Sequence, residues 1–517
     1  MFSSEEKNEN RPMSDKEAGA FGLVAILGGG WFLIQKNMSK IEWWYFEHFE
    51  EIYLGAYALI VLIMMYLIFL VKKKTKEMSI RSNLLYPYWS KNYSNIKIAD
   101  TPDRIDLYLD DKTRCSHVQV IGTTGAGKTA SIVTPWTIRD LKRYRSVIII
   151  DGKGSRDLPF DISNAIDELG IKVEKFHFDL ISPETSVSIN PLMHGSSQQI
   201  TDRIFSSFEF SDPFYESVQY DICGYLVKLI HKTNRVVTFK RLYSLLTDDR
   251  ELSRLLSELD DKDALKAILR GYLKESSKDR KNKMSGLISQ LSPFATSEIA
   301  SIVNSEDDEA SIYKLMTYPN KTRVFIFSIP TLKYQKIGTK LGKLILQELA
   351  YCVSEKERIG ETEFTSVFLD EFSEFVYEGF ISILNKARSS NTALHLCHQA
   401  LSDLTNVSES FARSVNTNTN VKCILGLNDP DTADFYARHF GTKTTEKFTE
   451  QTIEQGFFRS KEETGRASMR EVESYKIHPN ELKELYQGSG VIHFPTKNGT
   501  VTERVKFCAL NSKDMEV

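Results

Sequence analysis

The chain has little of what small secreted scaffolds depend on. Its cysteines, Cys115, Cys223, Cys352, Cys397, Cys423 and Cys508, are only six in 517 residues and show no CxxC spacing. That excludes a disulfide framework and a structural zinc knuckle, and it suits buried thiols in a reduced compartment. An excess of either charge is also missing, since 66 Lys and Arg face 69 Asp and Glu and leave a net charge of −3. A basic coat for wrapping nucleic acid is therefore excluded, and any such contact has to be local. Collagen-like repeats and simple disorder are excluded by composition, and the length calls for two or three domains.

Long apolar runs are present, but only near the N-terminus. Ile52–Val71 holds twenty consecutive uncharged residues, enough helix to cross about 30 Å of hydrocarbon. Ala18–Ile34 is a shorter run with three consecutive glycines. A cleaved signal is the alternative for it, but the flank Asp15-Lys16-Glu17 is mixed rather than basic, and we read a transmembrane hairpin. Lys72, Lys73, Lys74 and Lys76 follow the second run, whereas the intervening loop carries Glu42, Glu47, Glu50 and Glu51. By the positive-inside tendency both ends of the hairpin face the cytoplasm, and the aromatic group Trp43–Phe46 suits the interface. A multi-pass protein of the cytoplasmic membrane, with its bulk in the cytoplasm, is the expectation.

After the strand-like run His117–Ile121 comes Gly122-Thr123-Thr124-Gly125-Ala126-Gly127-Lys128-Thr129. This fits GxxxxGK[ST], in which glycines turn backbone N–H groups toward phosphates, Lys128 meets the β/γ-phosphates and the Thr129 hydroxyl meets Mg²⁺. A helix is expected over Ala130–Arg145. Such a site needs a second apolar strand ending in carboxylates, and Ser366–Phe372 ends in Asp370-Glu371. There Asp370 is the metal-side carboxylate and Glu371 the group that polarises water. Further strands are expected at Ser146–Ile150, Val324–Ile329, Ala393–Cys397, Val421–Leu427 and Gly490–Phe494, so the fold is α/β with a mainly parallel sheet. The turn Asp151-Gly152-Lys153-Gly154 reads either as a solvated turn or as one that senses nucleotide or a neighbouring subunit. His395, Cys397 and His398 share a strand, but alternation turns His398 away from the other two, and a metal site is rejected on that geometry.

From about Gln198 to Asp308 strand-like runs stop. Leu252, Leu255, Leu256 and Leu259, then Leu265, Ile268, Leu269, Tyr272 and Leu273, follow helical spacing, so an all-α insertion is expected. Its basic group Lys274, Lys278, Arg280, Lys281 and Lys283 reads as a helix end in solvent, with phosphate contact as the alternative.

The order of a membrane hairpin, GTTGAGKT, VIIIDGKGS, INPL at Ile189–Leu192, a helical insertion, IFSIPTLKY at Ile326–Tyr334, FLDEF and KARSSNTALHLCHQ at Lys386–Gln399 resembles the conjugative coupling proteins of type IV secretion systems. The last segment is also similar to FtsK/HerA translocases. The resemblance implies a RecA-like P-loop ATPase that acts as a homo-hexamer, binds ATP and Mg²⁺, and passes relaxase-bound DNA to the secretion channel. It divides the chain into an N-terminal segment 1–17, a membrane anchor 18–71, the ATPase domain 72–197 and 309–517, and the all-α domain 198–308. It implies that Gln399 senses the γ-phosphate and that Arg388 is an arginine finger; an ordinary surface arginine is the other reading of Arg388. Two departures stand out: DGKG lacks the proline many members have after the aspartate, and no long acidic tail follows the last predicted strand. Cargo selection is then expected to rest on the helical domain or an adaptor. The alternatives are a protein-cargo receptor of the same systems and an FtsK/HerA-like DNA pump.

Overall fold

The computed structural model describes residues 48–85, 95–455, 460–507 and 509–510. The chain divides into two units, residues 1–83 and 84–517. In the first unit one helix, α1 (Phe49–Leu85), is described. Its stretch Leu54–Lys72 is long and apolar enough to cross a membrane and is wholly exposed. The run predicted at Ile52–Val71 thus forms a single helix, whereas Ala18–Ile34 and the aromatic loop lie outside the described residues.

The second unit is built on one eleven-stranded sheet. In chain order its strands are β1 (Asn95–Asp100), β2 (Asp106–Asp110), β3 (Val118–Ile121), β4 (Ser146–Asp151), β5 (Glu174–Asp179), β6 (Arg323–Ser328), β7 (Thr365–Asp370), β8 (Thr392–His398) and β9 (Val421–Ile424). A hairpin of β10 (Thr442–Gln455) and β11 (Ser460–Tyr475) stands apart as a two-stranded sheet, and β12 (Ser489–Thr496) and β13 (Gly499–Phe507) return to the main one. The spatial order is β2-β1-β13-β12-β9-β3-β8-β7-β4-β6-β5. From β9 to β5 every neighbouring pair is parallel. The strands β12, β13, β1 and β2 extend the sheet antiparallel. The predicted mainly parallel sheet is present; the run expected at Gly490–Phe494 forms β12 but pairs antiparallel, and β1, β2, β13 and the long hairpin are additions.

Parallel strands covered on both faces read as continuous apolar runs. In β4, β6, β7 and β8 every residue is buried. Alternation then assigns the side chains to two cores. Ile148, Ile150, Phe325, Phe327, Val367 and Leu369 join one, and Val147, Ile149, Val324, Ile326 and Phe368 join the other.

The first core continues into the helices inserted between β5 and β6, six of them within residues 197–296. These are α4 (Ser197–Ser207), α5 (Pro213–Lys232), α6 (Phe239–Thr247), α7 (Asp249–Ser257), α8 (Ala264–Lys274) and α9 (Ser277–Thr296); α2 (Thr134–Lys142) and α3 (Asp157–Glu168) precede them, and α10 (Gln335–Arg358) and α11 (Ile381–Ala387) come later. Leu252, Leu255, Leu256 and Leu259 are buried as their spacing requires, but Ile268 is exposed. Because Leu226, Leu252 and Leu287 lie in one cluster with the sheet residues, the helices share the sheet's core. Two of the five basic residues are spoken for locally: Arg280 is buried, donates to the Leu273 carbonyl at 2.9 Å and pairs with Asp249, and Lys283 pairs with Glu275 at 2.9 Å.

One buried ionic cluster joins the elements at the N-terminal ends of the parallel strands. Arg114 is fully buried, makes a two-pronged contact with Asp140 of α2 at 2.7 Å on both sides, and reaches His395 of β8 at 3.3 Å. Trp136 and Phe364 lie against its guanidinium at 5.6 and 4.9 Å. Burial alone would raise the Asp140 carboxyl, but Arg114 and Arg143 bring it below the usual carboxylate range. Its stabilisation is therefore complete above about pH 4, the unfolded value, and is lost as pH falls from there through the folded one.

Removing one partner leaves a buried charge unpaired, at a cost of about 3–5 kcal/mol. Asp140→Asn is expected to lower the urea midpoint strongly at pH 7. Glu363→Gln, which removes the exposed partner of Arg145, is expected to leave the midpoint nearly unchanged. Equal effects of the two would contradict this assignment.

Candidate nucleotide-binding site

The phosphate-type loop follows β3 at the C-terminal edge of the parallel block. Gly125 and Gly127 adopt φ of +84° and +97°, a region that admits glycine without strain. The N–H groups of Thr124, Gly125 and Gly127 take no partner among the described residues, which leaves them as donors for an anion. The rest of the loop is braced from behind: Thr123 N–H donates to the Gly426 carbonyl at 2.9 Å, and Gly488 N–H donates to the Ala126 carbonyl at 3.1 Å. A Cβ at Gly127 would stand 3.3 Å from the Gly488 nitrogen and 3.2 Å from Ser131 Oγ.

The helix after the loop is present but begins with a wide turn. Thr129–Val133 is a π-type segment that leads into α2, with Thr134 N–H bonding to the Thr129 carbonyl. Pro135, at the start of α2, has no N–H to return to the preceding turn, and a widened turn is the usual accommodation. The predicted helix of Ala130–Arg145 is thus observed over 129–142.

The carboxylates predicted from FLDEF sit at the end of β7, two strands away. Thr129 Oγ1 donates to Asp370 Oδ2 at 2.8 Å, so the hydroxyl and the carboxylate expected around a Mg²⁺ ion are already adjacent. Lys128 is buried and its ammonium donates to the Gly122 carbonyl at 2.6 Å. Glu371 stands in left-handed backbone, φ 50° and ψ 47°, a conformation that costs a non-glycine residue about 1–2 kcal/mol. Just beyond the end of the next parallel strand, Gln399 Nε2 donates to both Glu371 oxygens at 3.2 and 3.3 Å, and Thr124 Oγ1 donates to Gln399 Oε1 at 3.2 Å. Glu371, Gln399 and the phosphate-type loop therefore form one hydrogen-bonded chain. The donors and carboxylates present fit a Mg²⁺–triphosphate.

Arg388 is not brought to this cluster. It is exposed and caps α11, just before β8 begins. Gln399 follows the other end of that seven-residue strand, about 20 Å away by strand rise.

Asp151 proves to be a turn-former. Its oxygens accept the N–H groups of Lys153 and Ser155, both at 2.8 Å. Burial and the neighbouring Asp370 push its carboxyl up to about 6. Asp151 is also the β-sheet partner of Asp370.

Four supporting residues, Asp403, Lys422, Gln119 and His398, were not singled out in the sequence for this role. Asp403 accepts the N–H groups of Gln399 and Ala400 at 2.8 and 3.1 Å and so fixes the turn that carries Gln399. Behind it, Lys422 donates to Gln119 Oε1 at 2.7 Å, the Gln119 amide donates to His398 Nε2 at 2.8 Å, and His398 Nδ1 donates to the Ala400 carbonyl at 2.9 Å. Burial pushes the Lys422 ammonium down to about 7. The signal was there to read: Gln119 in VQVI and Lys422 in VKCI are polar residues inside otherwise apolar buried strands, and such residues need partners. His395 is engaged by Arg114, so the two strand histidines serve separate polar networks. Among the described residues no group of three or more His, Cys, Asp or Glu side chains forms a metal-binding cluster.

Residues 365–487 match the family described as the TraM recognition site of TraD and TraG. The type 4 coupling protein DotL of Legionella pneumophila is 22% identical, over 76% of this chain and 57% of its own length. This chain thus spans little more than half of that relative. Among solved structures, the bacterial conjugative coupling protein TrwB aligns with a TM-score of 0.58 at 13% identity, over 83% of this chain and 91% of that one. The plasmid coupling protein TrwB in complex with ADP and Mg²⁺ aligns with a TM-score of 0.56 at 14% identity, over 83% and 93%. VirB4 of Thermoanaerobacter pseudethanolicus reaches 0.54 at 14% identity, over 82% and 99%. The fold is accordingly the TrwB-like RecA/P-loop α/β type.

Replacing Gly127 with Ala strains a backbone at φ +97° and adds a Cβ against Gly488. Calorimetry with inorganic tripolyphosphate is expected to show about 5- to 30-fold weaker binding, the equivalent of about 1–2 kcal/mol of strain. Unchanged affinity would mean that the loop does not hold the anion.

Proposed function

We propose that this chain, a relative of the type IV secretion coupling proteins, is a membrane-anchored ATPase that delivers cargo, DNA in the first place, into a type IV secretion channel. On this reading 72–197 and 309–517 form the motor, 198–308 the helical insertion that faces cargo, and α1 is part of the anchor, paired with the apolar run 18–34. It would work as a homo-hexamer at the cytoplasmic membrane, with relaxase-bound DNA handed to it.

The observation that carries the reading is the joining of Thr129 to Asp370 and of Thr124 through Gln399 to Glu371. The residues that would bind phosphate are linked to those that would act on it. Gly122–Thr129 would wrap the phosphates, with Lys128 exchanging its bond to the Gly122 carbonyl for phosphate oxygens. Mg²⁺ would be held by Thr129 and Asp370, and when bound it neutralises charge on the phosphate oxygens. Glu371 would accept the proton of the attacking water, oriented by the amide of Gln399, which it shares with the loop. Charge that develops on the transferred phosphoryl group still needs a cation close by, and Arg388 is remote in its own chain. A neighbouring copy's Arg388 would supply it, so that hydrolysis depends on ring contacts.

Steady-state hydrolysis of Mg²⁺-ATP by the full chain tests this. Glu371→Gln is expected to lower turnover by about 100-fold or more, the range for a lost general base, with nucleotide binding retained. Lys128→Ala is expected to lose both. Hydrolysis that survives both substitutions would sink the proposal.

A further inference from the structure

Resting on this reading, we infer that the loop 330–334 and the first turns of α10 are a contact surface for the nucleic-acid backbone, geared to the nucleotide site through Thr331.

The charge there is lopsided in a chain that is nearly neutral overall. Between Glu309 and Glu348 there is no Asp or Glu, while Lys333, Lys336, Lys340 and Lys343 lie within eleven residues. Lys336, Lys340 and Lys343 are spaced i, i+4, i+7 and so share one face of α10. Lys333 and Lys336 are exposed. Among the described residues no carboxylate lies within ion-pair distance of Lys333, Lys336 or Lys340, and Lys343 meets Glu209 only at 3.8 Å. Burial, with Lys336 and Lys343 alongside, lowers the Lys340 ammonium against the opposing pull of Glu209. Ahead of this row stands Leu332, 99% exposed, an apolar tip with nothing of its own fold to cover it.

The neighbouring turn adds to the same surface. A Cβ on Gly154 would stand 2.6 Å from Pro330, so the Asp151–Ser155 turn is seated directly on the loop. It brings Lys153 and Arg156, both exposed. Flexible ammonium groups in a row, without the rigid fork of paired arginines, suit phosphates read without regard to sequence. An apolar tip beside them suits the face of a base or sugar. That combination favours a nucleic-acid strand, which offers phosphates and apolar base faces at every repeat of its backbone, over an acidic protein segment, in which charged and apolar groups follow no such repeat.

The loop is bonded to the machinery at its root. Thr331 N–H donates to the Gly152 carbonyl at 3.1 Å, and Gly152 N–H donates to the Asp370 carbonyl at 3.1 Å. The Thr331 hydroxyl also donates to Glu374 at 2.9 Å, and Glu374 N–H donates to the Glu371 carbonyl at 3.1 Å. Two short hydrogen-bonded paths thus run from the Asp370-Glu371 pair to the residue next to Leu332. Movement of the carboxylate turn during hydrolysis would move the tip.

The test uses the full chain in detergent, a labelled 30-nucleotide single strand of mixed sequence, and anisotropy and Mg²⁺-ATP hydrolysis as readouts. The double variant Lys333→Glu/Lys336→Glu is expected to bind the strand about tenfold or more weakly, with a salt slope smaller by about 1.4 for two lost contacts. It should lose DNA-stimulated hydrolysis and keep the basal rate. Thr331→Val, which keeps the lysines, is expected to bind the strand normally yet lose most of the stimulation. Wild-type stimulation that both variants retain would overturn this inference and leave the motor reading intact. A wild-type chain that hydrolyses ATP but neither binds nor responds to DNA would overturn the inference together with DNA as the cargo. Polyglutamate that displaces the strand at equal charge concentration would also overturn it and name an acidic protein segment as the partner.

Discussion

Burial of parallel strands on both faces is the constraint on which the rest of the molecule depends. Strands covered above and below must be apolar along their length, so polar chemistry can be placed only at their ends. In β3, β4, β7 and β8 it is placed that way. Their C-terminal ends deliver the phosphate-type loop, Asp151, the Asp370-Glu371 pair and Gln399 to one edge. Sheet hydrogen bonding holds these ends in register, Asp151 beside Asp370 and Ile121 beside His398. The geometry of the site is therefore a property of the core and does not rest on any single loop.

The same constraint explains the two buried polar networks. At the N-terminal edge Arg114, Asp140 and His395 tie α2 to the sheet, and toward the other edge Lys422, Gln119 and His398 position the turn that carries Gln399. Each places a charge where water cannot reach it, so each is held only by complete hydrogen bonding. Glu371, in left-handed backbone, is the local exception in conformation, and it falls at the residue assigned to activate water. Strain kept at such a point is stabilised by its surroundings, here the Gln399 amide and the 3₁₀ turn after it.

Much of this was legible in the sequence because it depended on local rules. GTTGAGKT, the apolar run before Asp370 and the leucine spacing of α7 each carry their own geometry, and the structure places them as expected. Several strands were missed, β1, β2, β5, β10, β11 and β13 among them, and in two of these alternation is diluted by charge. Strand β13 reads GTVTERVKF and β10 reads TKTTEKFTEQTIEQ, and neither stands out from a solvated segment. The sharing of one core by helices 197–296 and the sheet was not legible either, since periodicity tells which face is buried but not against what. The partnership of Gln119, His398 and Lys422 joins residues about 300 positions apart and only the strand order reveals it. Arg388 was singled out by resemblance alone, and the strand between it and Gln399 puts it at the opposite edge of its own sheet.

That separation gives the proposal its central claim: the site of one chain would be complete only when a second chain contributes Arg388. The most direct measurement mixes two inactive full-length variants, Lys128→Ala and Arg388→Ala, in equal amounts and follows ATP hydrolysis. Random assembly into a ring with one kind of head-to-tail contact restores about a quarter of the sites, so turnover should rise to about that fraction of the wild-type rate. A mixture no more active than its two components would contradict the shared site.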